Sequence, residues 1–189
     1  MAGMARVGME AEGIDPSEFA VSAAREAGLN VRRGILQEAA YPTARFDVIT
    51  MCQVLEHTDN PLEILGECRR ILKPGGELVV GVPNFDSLVF ALVKSSWIGL
   101  QLPTHLQHFS PTSLRLVAES AGFIVESIST NSTKEGIASE LATWLRRRCL
   151  LPKRLTLGSK PISQWASRLA RRGVESSRGE SIRIDLIAP

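Results

Sequence analysis

Two hydrophobic periods take turns along this chain, one of about two residues and one of about 3.6, and their order lays out alternating strands and helices. Glu10 to Ile14 reads as a short extended piece that stops at Asp15-Pro16, because proline ends a strand and suits the first turn of a helix. From Ser17 to Ala27 the spacing puts Phe19, Ala20, Ala23, Ala24 and Ala27 on one helical face, with Gly28 as the stop. Leu29 to Gly34 is a second short strand, and Phe46 to Met51 a third, apolar enough to be buried on both faces. Asp59 or Asn60 can cap a helix opening at Pro61, with Leu62, Leu65, Ile71 and Leu72 inward and Arg69, Arg70 and Lys73 at its negative end. Pro74-Gly75-Gly76 ends that helix, and Glu77 to Val82 forms the next strand. Ser110-Pro111 opens another helix with Leu114, Val117, Ala118 and Ala121 inward and Gly122 after it. Phe123 to Ser129 and Ser181 to Ile187 alternate as a last pair of strands. Strands alternating with helices point to an α/β fold, a parallel sheet with helices on both faces.

Composition narrows this to one globular domain over residues 1–189, long enough for one well-buried core. The three cysteines, Cys52, Cys68 and Cys149, are odd in number and lack C-x-x-C spacing, so a cytoplasmic protein is expected rather than a disulfide or zinc framework. MAGMARVGMEAEG has no signal-peptide pattern, and Asp86 and Lys94 interrupt the best apolar run, so no membrane span is expected. The net charge of +2 hides a segregation: residues 1–145 carry 11 basic and 17 acidic side chains, whereas 146–178 carries 10 basic and one acidic, Glu175. That basic segment mixes Leu, Ile and Trp with its cations. It reads as a solvated helical face, as a peripheral contact with an anionic lipid surface or lipid-linked acceptor, or, least favoured for want of a motif, as a nucleic-acid surface.

The chemistry concentrates where strands end. Phe46 to Pro83 has the order of half a doubly wound sheet, whose cleft lies at the carboxyl ends of its strands. Asp15 ends a strand, where a carboxylate can accept both hydroxyls of a ribose or cap the following helix. The only histidines, His57, His105 and His108, all fall in segments expected to hang over those ends. Imidazole titrates near neutrality, so any of them can take a proton or simply bond loop backbone. The apolar stretch Asp86 to Leu102, with Phe90 and Trp97, is either a lid over an acceptor pocket or ordinary packing on the sheet.

Gly13-Ile14-Asp15-Pro16-Ser17, then Phe46-Asp47-Val48-Ile49 leading to Val54-Leu55-Glu56-His57, then Leu72-Lys73-Pro74-Gly75-Gly76, resemble the class I S-adenosylmethionine-dependent methyltransferases. The likeness runs from about Glu10 to Phe123 and is nearest the branch of ubiquinone-pathway O-methyltransferases and sugar- or glycan-linked methyltransferases. It implies a Rossmann-like sheet, S-adenosyl-L-methionine as cofactor, and a small-molecule or lipid- or glycan-linked acceptor. Residues 1–84 become the cofactor-side half, 85–122 the lid and acceptor side, and 123–189 the closing strands with the basic helical insertion 146–178. By the same resemblance Asp15, Pro16, Leu36, Gln37, Met51, Cys52 and Gln53 contact the cofactor, with core packing an equal account of Met51, and His105, His108 and His57 are the catalytic candidates. Relatives place an acidic or small residue against the adenine where this chain has Ile35. They also hold a divalent metal through Glu-x-x-Glu-His, and Gln53 in place of the first glutamate weakens such a site, so no metal is expected.

The start departs from the family. Its first strand and G-x-G-x-G loop do not fit in MAGMARVGM, and the missing strand is the central one. Its absence leaves two strand edges without partners, which points to an omitted upstream start, a partner or swapped strand, or a remnant without cofactor binding. The expected function is methyl transfer by an amino-terminally truncated enzyme. The alternative is a non-catalytic methyltransferase-like module working through its basic segment.

Overall fold

The computed structural model describes residue 3, residues 8–148 and residues 160–189. The chain divides into two compact units, residues 1–42 and 43–189. In the first, β1 (Glu12–Asp15) and β2 (Asn30–Arg33) pair in parallel, Glu12 opposite Asn30 and Asp15 opposite Arg33. Helix α1 (Glu18–Glu26) joins them. Its cap is Ser17, whose hydroxyl accepts from the Ala20 amide at 3.3 Å. The inward face differs from the one expected: Val21 is buried, Ala20 and Ala24 are half-buried, and Phe19 is 85% exposed. Alanine discriminates weakly between inside and outside, so in an alanine-rich helix the one branched residue sets the face.

The second unit holds a four-stranded sheet in the order β3-β4-β6-β5. Strand β3 (Phe46–Cys52) runs parallel to β4 (Leu72–Pro83), and β6 (Ser181–Ile187) lies antiparallel between β4 and β5 (Ile124–Asn131). Asn60 is the cap of α2 (Pro61–Ile71), accepting from the Glu63 amide at 3.3 Å. Its buried stripe is Ile64, Leu65, Cys68 and Ile71, and Leu62, expected inward, is 46% exposed because the first turn puts it off that stripe. Leu72 already belongs to β4, which begins before the expected Glu77 and runs through Pro74-Gly75-Gly76. At Gly76 an added Cβ would sit 2.9 Å from the Lys73 carbonyl and 3.0 Å from that of Asp47, so only glycine allows this approach of β3 and β4.

Leu78, Val80 and Val82 of β4 and Ile182, Ile184 and Leu186 of β6 are buried, and α2 and α4 (Pro111–Ser120) pack against these strands and each other. A second cluster forms beside the sheet from α3 (Leu88–Val93), α5 (Lys134–Arg147) and α6 (Lys160–Glu175), through Val89, Val93, Trp97, Ile137, Leu141, Ile162 and Ala166. The described strands thus form two sheets, and β1 and β3 each have a single strand neighbour among them. Of the expected basic insertion, residues 149–159 lie outside the described residues.

Candidate active site

The site is built where β3 and β4 end. The chain leaves β3 through Gln53, whose φ of 56° is left-handed and whose amide donates to the Gly81 carbonyl at 2.8 Å. It then makes one tight turn, Leu55–His57. After β4 the buried Asn84 fixes the exit. Its side chain donates to the Gly179 carbonyl at 2.7 Å and accepts from the Asp86 amide at 2.9 Å. Phe85 donates its amide to the Phe109 carbonyl at 2.8 Å, which draws the ends of the segment 86–108 together. The amides of Leu106 and Gln107 both donate to the Glu56 carbonyl, at 2.8 and 3.0 Å. The loop after β4 is therefore sewn to the turn after β3.

This stitching brings the three histidines together. The rings of His57 and His105 meet edge to face with centroids 4.6 Å apart, and His108 lies 6.4 Å from His105. His57 Nδ1 donates to the Thr104 carbonyl at 2.9 Å, and His105 Nδ1 donates to the Gly99 carbonyl at 2.8 Å. A carbonyl only accepts, so both neutral rings keep their lone pair on Nε2. His108 is reversed, giving Nε2–H to the Leu100 carbonyl at 3.2 Å. His57 is exposed, His108 half-buried, and His105 buried.

Beneath them Glu56 is 1% exposed, and neither carboxylate oxygen has a hydrogen-bond partner. Desolvation raises its pKa, opposed by its own amide and by the neighbouring His57 and His105 rings. Ligand atoms of Glu56, His57 and His105 lie within 4.8 Å of one another and could hold a metal ion. Two imidazoles and a carboxylate form a donor set for borderline ions of the zinc type, and each Nδ1–H on a backbone carbonyl orients its ring as second partners do at such sites. His105, from the loop after β4, is the third of these donors.

The segment 86–102 packs and also exposes apolar surface. Val89, Val93 and Trp97 face the second core cluster, and Phe90 stacks between Phe85 and Trp97 at 4.2 and 5.3 Å. Ile98, Leu102 and Leu106 stand exposed near the histidines.

The cofactor candidates fall in two sets. In the first unit Asp15 ends β1, and its Oδ1 accepts from the Ser17 amide at 2.8 Å, so its carboxylate braces the turn while Ser17 caps the helix. Pro16 follows it, and Leu36 and Gln37 form the tight turn after β2. In the second unit Met51 is buried at the end of β3, with Cys52 and Gln53 exposed after it. Sequence reasoning missed the burial of Glu56 and the pinning role of Asn84, since both depend on chain tens of residues away.

An acidic pair lies outside these residues. Glu140 of α5 is buried, and desolvation together with the nearby Glu180 carboxylate pushes its pKa up to about 8. Desolvation also raises Glu180 to about 7, against the Thr133 amide.

The family model described as "Methyltransferase domain" matches residues 1–128. The chain belongs to that family. The domain is 34% identical over 140 residues to the ubiquinone biosynthesis O-methyltransferase of Azoarcus sp., covering 67% of this chain and 60% of that protein. With the enzyme of the same name from Hahella chejuensis it shares 37% over 109 residues, covering 53% of this chain and 46% of the relative. The chain thus spans less than two thirds of the length of these relatives. In fold it resembles an S-adenosylmethionine-dependent methyltransferase of Thermotoga maritima described as a possible histamine N-methyltransferase, with a TM-score of 0.65, 20% identity, and 98% of this chain and 76% of that one covered. A methyltransferase of Archaeoglobus fulgidus gives 0.65 at 19% identity, covering 98% and 79%. The fold of the domain is that of the class I S-adenosylmethionine-dependent methyltransferases.

Proposed function

We propose that this domain belongs to an enzyme that transfers a methyl group from S-adenosylmethionine to a hydroxyl of an apolar small-molecule or lipid- or glycan-linked acceptor. The observation that carries the reading is His57: an exposed ring held by the Thr104 carbonyl, its Nε2 lone pair available at the ends of β3 and β4. Bound S-adenosylmethionine supplies an electrophilic methyl on a sulfonium. His57 takes the acceptor's hydroxyl proton at Nε2, and His105, packed edge-on beneath it, holds the ring in place. Ile98, Leu102 and Leu106 give the acceptor an apolar surface beside that base. Asp15 suits the ribose of the cofactor: one oxygen is engaged by the Ser17 amide, and a hard anionic acceptor remains at the end of β1.

We also infer that the domain works with a further strand bearing the glycine loop, because β3 has β4 as its single strand neighbour among the described residues. Titration calorimetry with S-adenosylhomocysteine tests both points, on the 189 residues and on a form extended upstream of Met1. Binding only by the longer form supports the enzyme with its strand supplied. Binding by neither overturns it in favour of a non-catalytic module.

A further inference from the structure

Helix α6 is sixteen residues long and two-faced. Ile162, Ala166, Leu169 and Ala170 face the cluster shared with α3 and α5. The opposite face carries Lys160, Arg168, Arg171 and Arg172, all exposed, with Glu175 as its only acid. None of these four cations forms an ion pair with a described residue. An open groove of about 760 Å³ runs along this face, lined in part by Lys134, Ser167, Arg168, Arg171 and Arg172. Trp165 precedes Arg168 by three positions and Arg172 by seven, so the three share a flank, and Trp165 is 45% exposed. Val174 is exposed as well.

Exposed guanidinium groups beside an exposed indole match a surface that is anionic outside and apolar beneath. We propose that α6 docks this domain on an anionic lipid surface, with Arg168, Arg171 and Arg172 meeting headgroup phosphates and Trp165 entering the interface between them. Charge complementarity selects the partner: the cations are gathered on one face and an apolar side chain borders their stripe. A single-stranded nucleic-acid partner would use the cations and stack its bases on several rings, and Trp165 is the only aromatic ring on the helix. No described helix is long and apolar enough to cross a membrane, so the contact is peripheral. This inference goes beyond the methyl-transfer reading and stands or falls without it.

The test is co-sedimentation of the 189-residue protein with phosphatidylcholine vesicles, with and without phosphatidylglycerol. Binding is expected only where phosphatidylglycerol is present, and raised salt should release it. Arg168→Gln/Arg171→Gln/Arg172→Gln should lower partitioning roughly 100-fold, at about 1 kcal/mol per arginine and 1.4 kcal/mol per tenfold. Trp165→Ala leaves the charge intact and should lower it roughly tenfold. If the triple variant fails to fold, bromolipid quenching of Trp165 in the parent, compared with Trp165→Ala, decides the matter. Equal binding to both vesicle types, an unchanged partition of the folded triple variant, or an absence of Trp165-specific quenching overturns the proposal. Binding to single-stranded RNA with vesicles ignored also overturns it.

Discussion

His57 donates Nδ1–H to the carbonyl of Thr104 at 2.9 Å, a bond spanning 47 positions of sequence that fixes which nitrogen of the ring can accept a proton. His57→Ala, in a form competent for methyl transfer, should lower turnover by roughly 10²–10⁴-fold, the usual contribution of a general base. The limb of the pH–rate profile that reports the base should vanish with it. The same profile in His108→Ala should keep that limb. An unaltered profile in His57→Ala removes it as the base.

Asp15 predicts a binding effect separable from folding. Asp15→Ala should weaken S-adenosylhomocysteine binding by about 1–3 kcal/mol, the scale of hydrogen bonds to a charged group. Calorimetry reads this directly. Unchanged affinity would place Asp15 outside the nucleoside site and leave it the brace of the Ser17 amide alone.

Glu140 and Glu180 predict how stability depends on pH. Their carboxyls titrate at about 8 and about 7 in the folded protein against 4.5 without burial, so between those values the folded state holds more protons than the unfolded. Their contribution is therefore complete below about pH 4.5 and is lost as pH rises through about 7 to 8. Each tenfold difference in proton affinity between the folded and unfolded states corresponds to about 1.4 kcal/mol. Urea midpoints should fall from pH 6 toward about pH 9, and Glu140→Gln should flatten the decline. A parent midpoint that holds steady across this window would show that the pair is solvated.

Gly179 predicts a steric effect at the start of the last strand. A Cβ there would lie 2.6 Å from the Asn131 carbonyl oxygen and 2.8 Å from two more backbone atoms of the same residue. Gly179→Ala should destabilise the protein by roughly 1–3 kcal/mol or more, since backbone cannot yield as a side chain can. A thermal melt matching the parent would mean that the β5–β6 junction relaxes.

Much of the fold was legible because its signals are local. Phe46 to Met51 is apolar but for Asp47 and Thr50, and Asn60-Pro61 combines a cap with the residue preferred at a helix's first position, so β3 and the start of α2 fall where expected. Two readings there overreached: Met51 alone of β3 is buried, rather than both its faces, and α2 stops at Ile71, before the expected Leu72 and Lys73. Faces were harder to read. Phe19 and Leu62 are large and apolar, yet both lie off the stripes that Val21 and Ile64-Cys68-Ile71 set, and periodicity cannot rank two overlapping faces when alanine or terminal positions are involved. The convergence of His57, His105 and His108 followed from where strands end, which sequence shows. Glu56 did not follow: a glutamate in a turn reads as solvated, and its burial depends on the segment around His105, whose Leu106 and Gln107 amides close over its carbonyl.

The outer side of β3 has a consequence for handling this protein. A seven-residue strand with one neighbour among the described strands offers a row of amides and carbonyls that any other extended segment can join, including a second copy of itself. Asp47, exposed on that strand and paired with Lys73, is the charge that would disfavour stacking one molecule on another. Asp47→Asn, at high concentration, should accordingly form ribbons or deposits more readily than the parent.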